Sequence, residues 1–586
     1  MKNIIVVLVI CFALFSCSQS ENKNDETTNQ DAQFEVFKTE FIDQLWTTFP
    51  SWAAGEGMHD YDQELTVPDE SNRAAVRLFL DSSKARLNRF KIESITGGNT
   101  TDYYLIRDFI DGQYFNVNEM KSHEWNPSQY NLGGQFFTVL NYREHSIDQR
   151  LQNISAKLDH VKDYYSAAKE QIKSPTLVHT NLAIQQIRGS ISVFDQSIRD
   201  SLKYSTLKES EKKTINTKLD SAIAVINQFA TWLEVDLMPL VESGERAIDF
   251  RLGADLYEKK FKHNMSSSFS AREIYQKAIE RKNDLHGKMF ALTQKMWPKY
   301  MADTKMPEWR EDAIKMMIDT LSSIHAHRDS FIVTIRKQIP QLERFVTEND
   351  LLTLDPEKPL IVRATPEYMR GIAGASISAP GPYDSEAETY YNVTPLDGYT
   401  PEQAESYLRE YNQYVLQILN IHEAIPGHYT QLIYSNQSPS LIKSILGNGA
   451  MMEGWAVYSE LMMLENGYGK NSDELWLMYY KWNLRTVCNT ILDYSVHVLS
   501  MNEEEALQLL MKEAFQQEEE ARGKWRRVQL SSVQLCSYFT GFYEIMDLRG
   551  ELKKRKGTDF DLKTFHEEFL SYGSAPVKYI RLLMLK

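Results

Sequence analysis

The chain is poor in cysteine, with only four in 586 residues. Cys11 and Cys17 lie within the first twenty residues, which leaves Cys488 and Cys536 for the rest of the chain. So few cysteines exclude a disulfide scaffold, the usual solution for small exported domains that cannot build a large core. A single Cys488–Cys536 bond is one alternative, and two buried free thiols are what we expect.

Long hydrophobic runs are also missing. The longest, Ile4–Phe15, has twelve apolar residues, whereas a membrane-spanning helix needs about 20. Lys2 precedes this run, and the sequence Leu14-Phe15-Ser16-Cys17 resembles the cleavage box of bacterial lipoproteins. It predicts an exported lipoprotein of the cell envelope, cleaved before Cys17 and held to a membrane by lipid on that cysteine. An ordinary secretory signal is the alternative.

The chain has fewer basic than acidic residues. Lysine and arginine number 65 against 80 acidic residues, so the formal net charge is −15. Because no dense basic cluster interrupts this balance, we expect no nucleic-acid partner. Residues 18–33 are rich in small polar and acidic side chains without an apolar period, which predicts a disordered tether after the lipid anchor.

Alternating strand patterns are rare, and no internal repeat of fixed period is found. Apolar residues recur at three- and four-residue steps, which predicts an all-α fold of mostly long helices in a single large domain, residues 34–586. Its catalytic half is expected at about 355–586, and a small β element, with strands Leu360–Arg363 and Thr389–Val393, is expected near the active site. The longest predicted helical stretches are Ala74–Phe90, Ile147–Lys173, Leu177–Ile198, Glu209–Val241, Ala271–Met296 and Trp309–Gln338.

The most informative stretch is Ile421–Gln431, which reads I-H-E-A-I-P-G-H-Y-T-Q. Its apolar residues have helical spacing, so His422, Glu423 and His428 lie on or near a buried face. Buried imidazoles and carboxylates are costly unless they are paired or bind a metal, and Zn²⁺ is bound by these groups. The alternative is that one histidine is a satisfied core residue and that no metal binds.

The spacing of the two histidines differs from the usual H-E-x-x-H zinc helix, in which they are four residues apart. Six residues of ideal helix turn through about 600° and rise about 9 Å, so the two rings would diverge. Pro426 and Gly427 lie between them, and these residue types kink helices and permit unusual dihedrals. We therefore expect a zincin-like metal helix with a two-residue bulge that brings His428 back towards His422.

A third ligand is expected from a second helix. The stretch Met451–Glu460, M-M-E-G-W-A-V-Y-S-E, has helical spacing, and its Glu453 is flanked by large apolar residues. With the two histidines, Glu453 would hold one Zn²⁺ and leave the fourth position for water. Glu460 lies two turns further on and could fix a ligand by a hydrogen bond. Glu423, next to a ligand, is the candidate general base that activates the zinc-bound water.

The strings H-E-A-I-P-G-H-Y-T-Q and E-G-W-A-V-Y-S-E resemble the motifs of a bacterial family known as domain of unknown function 885. Its members are large helical proteins regarded as zinc metallopeptidase-like, with gluzincin-type motifs, and the resemblance runs from about Phe49 to the C-terminus. It implies a zinc-dependent hydrolase that cleaves peptide bonds, as an exopeptidase or on short peptides. The family also has a tyrosine-asparagine pair before the metal helix, and Tyr391-Asn392 matches it; these two residues are candidates to contact substrate or to support the metal ligands. A packed hairpin without substrate contact is the alternative.

Two later motifs bear on the reaction. Asp493 and His497 are four residues apart on one helical face, so the aspartate could orient the imidazole, and the resemblance implies such a D-x-x-x-H pair. Residues 534–541 match the family's Q-x-x-x-Y-x-x-G run, in which Tyr538 is the candidate donor to an oxyanion, with His497 as the other candidate. Each could instead be a core residue. The chain departs from the usual family residues at three nearby positions: Asn489 for arginine, Ser495 for glycine and Ser532 for proline.

Two other functions stay open at the level of sequence. The chain could be a non-catalytic surface lipoprotein that binds peptides or a partner, or a metal hydrolase of a non-peptide amide or ester. Glu423 favours an enzyme, because a purely structural zinc site needs no carboxylate beside its ligands. For a peptide substrate, Arg485, Arg527 and Arg549 are all candidates to bind a carboxylate, and the sequence does not choose among them.

Overall fold

The computed structural model describes residues 21–142, 144–365, 375–379, 381–383 and 388–586, with side chains described from residue 30. Helices dominate, and the described residues include one small three-stranded sheet, which confirms the predicted fold class. The predicted signal, its Cys17 and residues 18–20 lie outside the described residues. In the part of the chain that the structure describes, no helix has both the length and the apolar character to cross a membrane.

Helices α1 to α16 precede the sheet. Two predicted helices are each divided in two, at residues 159–160 and 323–330. The sequence pattern does not show these breaks, because the helices on both sides of each break pack against the same core and so continue one apolar period. The bounds are α1 (Glu21–Thr48), α2 (Pro50–Gly55), α3 (Glu70–Leu87), α4 (Gly98–Phe115), α5 (Ser122–Trp125), α6 (Gly133–Asn141), α7 (Ile147–Leu158), α8 (Val161–Gln171), α9 (Leu177–Ser192), α10 (Arg199–Lys203), α11 (Glu209–Thr231), α12 (Met238–Glu242), α13 (Gly253–Met265), α14 (Ala271–Tyr300), α15 (Arg310–Ser322) and α16 (Phe331–Glu348).

Helix α1 begins inside the segment predicted as a disordered tether, so the structure differs from that prediction over residues 21–33. The carboxylate of Asp31 accepts hydrogen bonds from the backbone and hydroxyl of Thr96 and from the amide of Asn99. The prediction of disorder is based on local composition, which cannot show hydrogen-bonding partners more than sixty residues away. These contacts fix the second half of the predicted tether to the helical body.

Helices α17 to α27 follow the sheet and carry the motif residues. Their bounds are α17 (Pro401–Glu410), α18 (Val415–Glu423), α19 (His428–Asn436), α20 (Leu441–Ile445), α21 (Gly449–Glu465), α22 (Asp473–Val498), α23 (Glu503–Gln508), α24 (Glu518–Leu530), α25 (Ser537–Lys556), α26 (Leu562–Ser571) and α27 (Val577–Met584). Cys488 in α22 and Cys536 just before α25 are both buried free thiols, as expected.

The sheet has the strand order β1-β3-β2, with β1 (Leu360–Ala364), β2 (Ala375–Ser378) and β3 (Thr389–Val393). Strand β1 runs parallel to β3, and β2 runs antiparallel to it. The sequence predicts β1 and β3 but not β2, whose four residues, A-S-I-S, are too short to show an alternating pattern. Strand β2 contacts α18, so the sheet lies beside the first motif helix.

Buried apolar side chains in the described residues form two clusters. One lies within residues 65–241 and is built mainly from α6 to α12. The larger one joins α1, α3 and α4 to α13–α16, the sheet and α17–α27. The motif helices therefore pack in the larger cluster, which takes in both ends of the described chain.

Helices α21 and α25 cross in very close contact. A Cβ on Gly541 would overlap the backbone carbonyl of Ala450, and a Cβ on Gly454 would overlap the backbone of Gly541. Both glycines belong to motifs that the sequence singles out, E-G-W-A and Q-x-x-x-Y-x-x-G. Because no larger residue fits at this crossing, the glycine pair fixes the distance between the helix of Glu453 and the helix of Tyr538.

Candidate metal centre

His422, His428 and Glu453 meet at one point, with a ligand atom of each within 4.8 Å of the others. The Nε2 atom of His428 lies 3.4 Å from Oε2 of Glu453, and Nε2 of His422 lies 3.7 Å from the same oxygen. Both separations are long for hydrogen bonds, which are about 2.7–3.2 Å. Ligand atoms about 2.1 Å from a tetrahedral ion lie about 3.4 Å apart. The spacing therefore suits atoms that share one metal ion.

The chain brings the two histidines together by interrupting the helix. Helix α18 ends at Glu423 and α19 begins at His428, with residues 424–427 in a non-helical conformation and a cis peptide bond before Pro426. The N–H of Gly427 donates to the carbonyl of Ile421 at 3.0 Å. The two imidazole planes are nearly perpendicular, with centroids 4.8 Å apart. The predicted deformation is present, and it takes in the four residues between the two helices.

Trp455 of the E-G-W-A motif holds this interruption in place. Its indole N–H donates to the carbonyl oxygen of Pro426 at 2.8 Å, and its ring is completely buried. Ala424 and Ile425 are buried beside it. A carbonyl that leaves the helix would be unsatisfied without such a donor. The tryptophan, which the sequence indicates only as part of a helical face, therefore joins the two halves of the site.

Glu460 fixes the first histidine. Its side chain is fully buried, and Oε1 accepts hydrogen bonds from Nδ1 of His422 at 2.7 Å and from the indole N–H of Trp482 at 3.0 Å. Because Nδ1 donates, the lone pair of Nε2 faces Glu453 and is available to a metal. The structure thus places Glu460 in contact with a ligand, and Trp482 is a partner that the sequence does not indicate.

Replacing Glu460 with glutamine is expected to weaken Zn²⁺ binding by about 10–100-fold, because a neutral amide oxygen makes His422 a less basic ligand. Glu465→Gln, at the end of the same helix and paired with Arg549, is the matched control. Competition with a zinc-binding dye measures both affinities. Equal affinities for the two variants would contradict the role of Glu460.

Glu423 and Glu453 have opposite electrostatic surroundings. Burial raises the pKa of Glu423, and the imidazoles of His428 and His422 offset only part of that shift. Burial also opposes ionisation of Glu453, but contacts with both imidazoles outweigh it and hold the pKa of Glu453 well below its usual range. When the surroundings shift the pKa values of two carboxylates in opposite directions, one commonly serves as an acid–base group and the other stays charged. Glu453 suits a ligand, and Glu423 suits a base.

A cavity of about 300 Å³ opens beside the site and is the place where a substrate could bind. His422 and Glu423 lie in its lining together with Tyr538. A guanidinium N–H of Arg527 donates to the hydroxyl oxygen of Tyr538 at 3.3 Å. A guanidinium cannot accept a hydrogen bond, so the phenolic O–H remains available to donate to a substrate oxygen. The remaining lining residues are Ala375, Tyr411, Leu419, Trp482, Arg485, Thr486, Asn489, Glu520, Lys524 and Arg527.

Asp493 and His497 require a correction, because neither contacts the other's ring or carboxylate in the described structure. The described residues that line the cavity include Tyr538 but not His497. Asp493 accepts three hydrogen bonds, from the hydroxyl of Tyr257 and from the backbone N–H groups of Val533 and Leu535. Nε2 of His497 lies 2.9 and 3.0 Å from the backbone carbonyls of Val528 and Ser531. Both side chains thus anchor the segment between α24 and α25, which positions Tyr538.

Tyr391 and Asn392 join the sheet to the metal helix. The fully buried Tyr391 donates its hydroxyl to the side-chain oxygen of Asn420, on α18, at 2.9 Å. The amide of Asn392 donates to Ser378 at 2.7 Å and accepts from Arg363 at 2.7 Å. These partners correspond to the packed-hairpin alternative, and they use the polar atoms that would otherwise face a substrate.

The fold and the site together define a class of protein. It is a mainly helical protein with a group of two histidines and one glutamate that could hold a metal ion. Residues 50–584 match the family described as bacterial protein of unknown function, DUF885, and the chain belongs to that family. A solved structure from Shewanella oneidensis, described as a candidate lipoprotein of unknown function, is 51% identical with a TM-score of 0.88, covering 94% of this chain and 100% of that chain. A candidate lipoprotein from Colwellia psychrerythraea, 16% identical with a TM-score of 0.76, covers 94% and 98% and shares the fold. No curated protein matches the chain.

Proposed function

We propose that this protein is a zinc-dependent hydrolase that cleaves peptide bonds. The observation that carries the proposal is the arrangement of His422, His428 and Glu453, whose separations suit one tetrahedral ion. Oε2 of Glu453 is buried and makes no hydrogen bond to any described residue. A buried, unsatisfied carboxylate oxygen is costly, and a cation bound between it and the two imidazoles removes that cost. The donor set of two nitrogens and one oxygen is the one that catalytic zinc uses.

The chain's own residues support hydrolysis. A bound Zn²⁺ would polarise a carbonyl and lower the pKa of water. Glu423 lies in the cavity beside His422, where its carboxylate can take a proton from the attacking water and pass it to the leaving amine. The hydroxyl of Tyr538 donates to none of the described residues, so it can donate to the oxygen that becomes negative during attack. Glu423 ends α18 and Tyr538 lies at the start of α25, so the packing of both helices against α21 holds these groups in place before a substrate arrives.

The proposal includes a cellular location for the protein. The solved structure from Shewanella oneidensis, which is 51% identical, is described as a candidate lipoprotein, and the first residues here have the pattern of a lipoprotein signal with Cys17 as the lipidated residue. We therefore place the enzyme in the bacterial envelope, tied to a membrane by lipid. The small cavity favours short peptides or chain ends over folded proteins as substrates.

Metal removal tests the proposed function directly. The purified protein is expected to bind about one Zn²⁺ per chain, to cleave members of a short-peptide library, and to lose that activity in a chelator. Added Zn²⁺ should restore cleavage. Binding of peptides without cleavage by the zinc-loaded protein would identify a non-catalytic binding protein. Cleavage of esters or non-peptide amides alone would reassign the substrate.

A further inference from the structure

The cavity lining carries more positive than negative charge away from the metal ligands. Arg485, Lys524 and Arg527, here called the cationic wall, face it together with two carboxylates, Glu520 and the proposed base Glu423. Glu520 is already paired, because its Oε1 lies 2.5 Å from Nη2 of Arg485. The next carboxylate behind the wall, Glu410, lies 2.8 Å from Lys481 and 3.8 Å from Arg485.

Among the described residues, neither Lys524 nor Arg527 donates a hydrogen bond to a carboxylate. Lys524 is only 5% exposed, and its ammonium lies 3.8 Å from Glu520, beyond hydrogen-bonding distance. The guanidinium of Arg527 donates to two neutral groups, Gln534 at 2.7 Å and Tyr538 at 3.3 Å. The two cations are three residues apart on α24 and so lie on one helical face.

Lys524 is buried with only a share of the Glu520 carboxylate, and a buried cation that is incompletely paired is expensive unless a ligand supplies an anion. Arg527 is exposed, so its guanidinium is accessible to the same anion. Arg549, the third arginine that the sequence leaves open, lies elsewhere: it pairs with Glu465 at 2.8 Å and contacts Tyr458. Arg485 is committed to Glu520. The structure thus selects Arg527 from the three and adds Lys524, which lies in a charged stretch, E-E-E-A-R-G-K-W-R-R, that reads as a solvated helix face.

We propose that Lys524 and Arg527 bind a carboxylate of the substrate, and that this is the free C-terminal carboxylate of a short peptide. This deepens the proposed function and rests on it, because the same cavity holds Glu423 and His422. A cavity of about 300 Å³ leaves little room for chain beyond the carboxylate. The bond to be cleaved therefore lies close to the C-terminus, and the enzyme removes residues from that end.

Binding to a variant that cannot turn over separates this inference from the proposed catalysis. The probes are acetyl-trialanine as the free acid, the same peptide as its C-terminal amide, and an amide-blocked peptide with one glutamate. Calorimetry on zinc-loaded Glu423→Gln protein is expected to show the free acid binding about 10–100-fold more tightly than the amide. Lys524→Met in that background should remove most of the difference. Arg526→Gln is the matched control, because Arg526 lies next to Arg527 but contacts Gln185 instead.

Equal binding of acid and amide, or no binding of either, would overturn the inference. Tight binding of the blocked glutamate peptide would overturn the choice of the terminal carboxylate. The melting temperature gives a second readout, since removing a buried ammonium without a hydrogen-bonding partner should not lower it. A large drop would mean that Lys524 acts structurally. If the wild-type protein binds the free acid as expected but never cleaves it, the carboxylate site stands and the peptidase proposal fails.

Discussion

Glu423→Gln protein should bind Zn²⁺ as tightly as the wild type and lose most of its hydrolytic activity. The side chain is not one of the three ligands, so the amide leaves the metal group intact. It does remove the carboxylate that would take the proton from water, and general-base catalysis is worth about 10²–10⁴ in rate. The loss should appear in kcat, because proton transfer belongs to the transition state and not to substrate binding.

Metal analysis and steady-state kinetics on a peptide that the wild type cleaves are the two measurements. Glu465→Gln again serves as the control, since it makes the same chemical change at a helix end that pairs with Arg549 and is not among the residues lining the cavity. Cleavage by Glu423→Gln at the wild-type rate would remove Glu423 from the mechanism. A parallel loss of zinc would show that Glu423 is a ligand, which contradicts the roles given to it and to Glu453.

Gly427→Ala should strongly weaken metal binding without changing any ligand. A Cβ at this position would overlap the backbone carbonyl oxygens of His422 and Ile421, so the interruption between α18 and α19 cannot keep its shape. Backbone atoms cannot rotate away as a side chain can, and the two imidazoles must separate. We expect Zn²⁺ affinity to fall by at least about 100-fold, as for a lost contact around a metal. The free energy of unfolding should fall by about 1–3 kcal/mol, as for an overpacked core.

Gly449→Ala is the matched control for this experiment. It makes the same change at the start of the helix that carries Glu453, and a Cβ there meets nothing within 4 Å. Zinc titration and thermal unfolding with and without metal measure both variants. If Gly427→Ala binds zinc normally while keeping the wild-type melting temperature, then the shape of residues 424–427 does not control the site.

The parts of the site that could be predicted from sequence share one property: their chemistry conflicts with their surroundings. Two histidines and two glutamates in apolar helices require a partner, and Pro426-Gly427 shows where the helix must yield. Strands β1 and β3 are visible for a similar reason, because β-branched and aromatic residues stand out in a helical sequence. The fold class follows from apolar spacing, which repeats over hundreds of residues.

What could not be predicted depends on partners distant in sequence. Helical spacing places Asp493 and His497 on one face, but it does not show that backbone N–H and carbonyl groups of residues 528–535 compete for both side chains. Trp455 and Trp482 have the spacing of core residues, and only their N–H contacts give them a role at the metal centre. Lys524 sits among charges and gives no sign of burial. In each case the decisive information is an orientation or a neighbour, which a linear pattern does not contain.

The glycine-to-glycine crossing of α21 and α25 has a consequence for how this family can diverge. A side chain at Gly454 or at Gly541 would overlap the backbone of the opposite helix. Neither glycine can therefore be replaced while the two helices keep their positions. A change at either site would displace Glu453 relative to Tyr538. The two glycines should therefore be inherited together, and a relative that has lost one of them should have lost the other as well.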